Sequence, residues 1–141
     1  MKNTLIVCMM FAGFGQAAQA QQKAVVPPPA VKAAFLEKYP ASKGVSWEME
    51  KGNYEANWGG KSGEDNSATF KPSGAFVEIV RAMPVAELPA SVAPYVKAHF
   101  HGARILEAGK VTDAAGMQSY EVEIKGKDLI FSLDGKYMGK D

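Results

Sequence analysis

Two periodicities alternate along the chain. Val31, Phe35 and Tyr39 recur at i, i+4 and i+8, the stripe of an amphipathic helix. Pro27-Pro28-Pro29 can only precede or start such a helix, and Tyr39-Pro40 stops it. From Val45 the period changes to two. Val45, Trp47 and Met49 face one way, while Ser46, Glu48 and Glu50 face the other. After a short glycine turn, Tyr54, Ala56 and Trp58 oppose Glu55 and Asn57. The pattern predicts a helix and then four strands, at about 43–50, 53–58, 67–71 and 75–81. The second half reads alike. Pro89 leads, Val92, Val96 and Phe100 make the stripe, Pro94 is tolerable only in the first turn, and Gly102 terminates. Strand-like runs follow at about 103–111, 118–125, 128–132 and 136–138. Lys51-Gly52 and Gly126-Lys127 suit short turns, and Pro72-Ser73-Gly74 and Leu133-Asp134-Gly135 suit three-residue hairpin loops.

Shifting the chain by 61 places Val31 on Val92, Phe35 on Val96 and Tyr39 on Phe100. The same shift later puts Phe70 on Phe131, Gly74 on Gly135 and Phe76 on Tyr137. Self-similarity at a fixed offset is the mark of a repeat. The expected fold is therefore α+β: two repeats of a helix followed by a four-stranded antiparallel meander, at about 28–82 and 89–141, with their sheets side by side and 80–88 as the linker. A unit of this size buries too little apolar surface to be secure alone, so one joined domain over 21–141 is expected.

Ahead of it, 1–20 reads as a secretory signal. Lys2 is its only charge, the run from Leu5 to Phe14 is apolar, and Ala18-Gln19-Ala20 supplies the small-x-small cleavage pattern. The apolar run is far shorter than the roughly 20 residues that span a bilayer, so no stable membrane insertion is expected after cleavage. Losing Lys2 takes 16 basic residues to 15 against 15 acidic ones, a net charge of zero. Without a basic excess or a lysine run, nucleic acid is not an expected partner. Losing Cys8, the single cysteine, removes disulfides, thiolate metal sites and a cysteine nucleophile together. A periplasmic or secreted location follows.

The segments Val31-Lys32-Ala33-Ala34-Phe35-Leu36-Glu37-Lys38-Tyr39-Pro40, Val45-Ser46-Trp47-Glu48, Tyr54-Glu55-Ala56 and Phe70-Lys71-Pro72-Ser73-Gly74, with Tyr120-Glu121-Val122 and Asp134-Gly135-Lys136-Tyr137, carry a resemblance. Together with the leader and the duplication, they resemble the PepSY-like family of bacterial envelope proteins, related in fold to the β-lactamase inhibitor protein. The resemblance implies a module that binds or inhibits another envelope protein or peptide, with no catalytic signature to carry across.

The residues themselves offer few chemical constellations. His99 and His101 lie two apart and point to different sides of a helix, the wrong spacing for metal ligands on one face. Gly60-Lys61-Ser62 lacks both the upstream glycine and the following helix of a phosphate loop. No cofactor and no metal are expected. The strand carboxylates are more informative. If Lys51-Gly52 is the turn, Glu48 opposes Glu55; if Gly52-Asn53 is the turn, Glu50 does. Either way like charges meet, at a cost of a few tenths of a kcal/mol, and Glu121 and Glu123 share one face of a later strand. Outward strand faces do not supply the deep pocket of an acid–base pair, so an enzyme is not expected. The carboxylates read either as a solvated face or as a docking surface for a basic patch. Trp47, Tyr54 and Trp58 read either as the core side of the sheet or as an exposed aromatic interface. A non-enzymatic binding module is the expected function, with a small-ligand carrier or sensor lined by those aromatics as the alternative.

Overall fold

The structure, a computed structural model, describes residues 24–140. The secretory signal expected at 1–20 lies outside them. The first helix, α1 (Pro29–Lys38), starts with the carbonyl of Pro28 accepting from Val31 N and Lys32 N. It stops at Tyr39, whose backbone (φ −131°, ψ 62°) has left the helical region ahead of Pro40. Four strands follow: β1 (Ser46–Glu50), β2 (Asn53–Trp58), β3 (Asn66–Phe70) and β4 (Phe76–Met83). A short 3-10 turn at Val85–Glu87 leads into α2 (Val92–His99), which holds Pro94 in its first turn, where its missing N–H costs nothing. Then come β5 (Glu107–Asp113), β6 (Gln118–Ile124), β7 (Lys127–Phe131) and β8 (Tyr137–Lys140). Among the described residues no helix is long and apolar enough to cross a membrane.

Lys51 (φ 48°) and Gly52 (φ 81°) both take left-handed backbone, the geometry of a two-residue turn whose twist matches its strands. That turn sets Glu48 opposite Glu55 and Met49 opposite Tyr54. Across the sheet the helices supply the apolar cover. Phe35 packs edge-on against Trp47 (5.2 Å between centroids), Trp58 (5.1 Å) and Phe70 (6.2 Å), with Val31, Ala56, Ala68 and Ile79 around it. Val92 and Val96 cover Val122, Ile124, Leu129 and Phe131 in the same way. The pairing runs Trp58 to Asn66, Arg81, Lys110, Tyr120 and Phe131. Directly paired residues point to the same side, so both helices lie on one face.

The two-sheet expectation is corrected here. All eight strands form one continuous antiparallel sheet in sequence order, because β4 and β5 pair from Glu78↔Asp113 to Met83↔Ala108. The structure is one eight-stranded sheet with two helices, not two repeats with sheets laid side by side. The strand expected at 75–81 runs on to Met83, into the stretch 80–88 also read as linker, and the connection begins only at Pro84. The reason is physical: Ile79 and Val80 are both buried on opposite faces, and a strand apolar on both sides with a free edge would leave a row of backbone N–H and C=O groups bare. Pairing with β5 removes that edge.

The seam is tight. A Cβ added at Gly109 in β5 would come within 2.5 Å of Val80 Cγ1 and 3.5 Å of Arg81 O. Gly109→Val is expected to destabilise the protein by about 1–3 kcal/mol, read as a lower urea midpoint with an unchanged m-value. A midpoint equal to or above the wild type would show that the seam has room.

Candidate functional site

Among the described residues the sheet's other face carries no helix, and the register sorts its side chains into rows. Glu48, Glu55, Thr69, Glu78 and Asp113 line up across β1 to β5. Beside them run Asn57, Ser67, Val80 and Val111, then Ala82, Gly109, Glu121 and Ile130. The last row is Glu107, Glu123 and Asp128. The two middle rows of this face thus mix small, apolar and polar residues, Glu121 among them, and carboxyl groups line both flanks.

Its polar side chains crowd one another. Glu55, Asn57, Ser67, Glu121 and Asp128 are all buried, Glu121 retaining only 2% of its exposure. Around Glu55 the crowding is organised. The Ser67 hydroxyl donates to Asn57 Oδ1 at 2.5 Å, Asn57 bonds Glu55, and Glu55 bonds Glu50, its diagonal neighbour. Burial first, then the hydrogen bond to Glu50 and the charges of Glu50 and Glu48, push the Glu55 carboxyl up to about 8, against a weaker pull from Asn57. At neutral pH Glu55 therefore keeps a proton, and it shares a hydrogen bond with Glu50. Both glutamates that the sequence set against Glu55 meet it, one straight across and one diagonally. At the far flank, burial and then the Glu107 charge raise the Glu123 carboxyl as well. Glu123 Oε2 is buried with no hydrogen-bond partner among the described residues.

The aromatic candidates sit elsewhere. Trp47, Tyr54 and Trp58 are half-buried on the helix-covered side, packed against the α1 core. The structure thus separates the eight candidates into three aromatics beneath α1 and five glutamates on the open face. It adds Glu78, Asp113, Glu107 and Asp128, which strand parity within each run could have suggested but no single hairpin brings together. His99 stacks on Tyr95 at 4.0 Å, and its Nδ1 lies 2.9 Å from the Tyr95 carbonyl. Among the described residues no group of three or more histidine, cysteine, aspartate or glutamate side chains is arranged to hold a metal.

A cavity of about 250 Å³ opens where the 59–66 loop meets the ends of β4 and β5. The loop is held by its glycines. Gly59 (φ 88°) and Gly60 (φ 65°) are left-handed, and a Cβ on Gly60 would strike the Asp65 carboxylate. The Asp65 carbonyl accepts from Ala82 N at 2.9 Å, which pins the loop against β4.

The Glu50–Glu55 pair makes stability fall as pH rises. The unfolded Glu55 releases its proton near 4.5 and the folded one near 8, so the folded form is favoured below 4.5 and that advantage is lost through the window between. Glu55→Gln is expected to flatten the dependence and to exceed the wild type by about 1–3 kcal/mol above pH 8. Chemical denaturation at both ends of the window checks it, and a wild-type profile already flat there would contradict the assignment.

No protein-family model matches the sequence, and no curated protein matches it. Solved structures do. A Bacteroides eggerthii protein assigned to the periplasm is 19% identical over 83% of this chain and 89% of its own, with a TM-score of 0.66. A DUF2874 family protein of Bacteroides uniformis is 20% identical over 82% of this chain and 89% of its own, at 0.65. A BLIP-like protein of Bacteroides fragilis is 16% identical over 83% of this chain and 86% of its own, at 0.58. At such identities the likeness is one of fold, shared with the DUF2874 family and BLIP-like proteins.

Proposed function

We propose that the chain is a periplasmic or secreted, non-enzymatic binding module that docks a basic patch of another envelope protein or peptide on its open sheet face, as an inhibitor or modulator of that partner. The observation that carries this reading is the sorting of charge: a chain with nearly balanced charges gathers Glu48, Glu78 and Asp113 into one row, in which the buried Glu55 keeps its proton. Complementary charge across an interface steers the encounter and suppresses wrong partners. The periplasmic description of the eggerthii protein and the BLIP-like neighbour support the compartment and the class, and kinship with the PepSY-like family belongs to the same reading. The carrier alternative loses its lining, since Phe35 fills the space between Trp47 and Trp58 and the cavity at the 59–66 loop is smaller than the roughly 300–1,000 Å³ of small-molecule sites.

The test uses the mature chain to capture its partner from envelope extract, followed by binding kinetics at two ionic strengths. Glu55 is unsuited to charge reversal because it is buried and holds a proton; Glu48, half-buried at the edge of the row, is the better site. Glu48→Lys is expected to slow association by about tenfold and to flatten its salt dependence. An unchanged on-rate with an unchanged salt slope would return these carboxylates to a solvated face.

A further inference from the structure

The open face does not end at the carboxylate rows. At its β4–β5 end the 59–66 loop folds back to make the cavity of about 250 Å³, whose lining mixes apolar and acidic residues. Val80, Met83 and Leu106 are among them, together with Asp65 from the loop and Glu107 from the start of β5. Glu64 stands beside Asp65, and no lysine or arginine is among the lining residues. We infer that this cavity is the anchoring pocket for one arginine side chain of the docked partner, an inference that rests on the docking reading above.

Size, shape and charge each narrow the occupant. The volume is below the range of drug-sized ligand sites but accommodates one long side chain. A lining that offers both apolar and acidic residues fits a side chain that has a hydrocarbon stem and a cationic head, since such side chains lay their methylenes along apolar surface and keep the charge at a polar edge. Two acidic residues from separate elements, the loop and β5, suit the planar guanidinium, which presents donors in a fixed fork, better than the point charge of an ammonium. The pocket is also held in shape before binding. Gly59 and Gly60 supply backbone that other residues adopt only under strain, the Asp65 side chain lies against Gly60, and Asp65 is tied to β4 through Ala82. A preformed pocket spends little of its binding energy on ordering. Moreover Glu107 pairs with Glu123 and through it with Asp128, so the lining continues into the acidic flank of the open face.

The probe is N-acetyl-arginine N-methylamide, titrated into the full mature chain and followed by methyl resonances of Val80, Met83 and Leu106. Its lysine and norleucine counterparts serve as controls. Saturable shifts at those methyls are expected with the arginine probe, weaker with lysine and absent with norleucine. The affinity is expected to fall about tenfold in Asp65→Asn/Glu107→Gln, which is about 1.4 kcal/mol, and to fall with added salt. If the double variant does not fold, the salt dependence of the wild type and the norleucine control still decide. No saturable shift, or equal shifts with norleucine, overturns the inference. The docking reading fails separately: were the probe to bind while the captured partner ignored Glu48→Lys, the pocket would stand and that reading would fall. Were the partner to respond while the probe did not bind, the reverse would hold.

Discussion

The antiparallel pairing of β4 with β5 is the constraint on which everything else depends. It turns eight strands into one sheet, and a sheet has only two faces. With α1 and α2 both on one of them, the other carries no helix among the described residues. Rows that cross five strands, such as Glu48 to Asp113, exist only because the seam holds the two halves in register. Gly109 shows how closely the strands' side chains approach there: Val80 occupies the space that any side chain at position 109 would need.

The open face concentrates charge where a helix might have covered it, and the protein manages the resulting repulsion in two ways. Near β1 and β2 a carboxyl keeps its proton, so that Glu50 and Glu55 share a hydrogen bond instead of repelling, and Asn57 and Ser67 complete the chain. Near β5 to β7, Glu107 and Glu123 stand directly opposed, and the cost appears as a Glu123 carboxyl harder to ionise. Neither arrangement helps folding in the way an apolar contact would. Local rules broken in this manner are expected at functional surfaces, which is why the face and not the aromatic layer carries the proposed function.

Much of this was legible in the sequence. The stripe of Val31, Phe35 and Tyr39, the stop at Pro40 and the alternation from Val45 to Trp58 are local signals, and the helix and hairpin they predict are present. The opposition of glutamates followed from parity and a glycine turn alone. Two things were not legible. The stretch from Val80 to Met83 precedes Pro84 and has no clean alternation, so nothing local distinguishes a central strand from a linker; its partner lies beyond a helix. Likewise parity placed Glu55 on the polar side of its strand but could not show it to be 4% exposed, because the side chains that bury it come from neighbouring strands and crowd together only in the assembled sheet.

The same topology has a kinetic side. Every strand pairs with the next in sequence, and most of these closures span a short turn or a brief loop, the kind that form early at little entropic cost. The exception is β4 with β5, whose closure spans the whole stretch 84–106 with α2 inside it. The joint that makes the face continuous across both halves is therefore the one whose formation demands the most ordering of the chain.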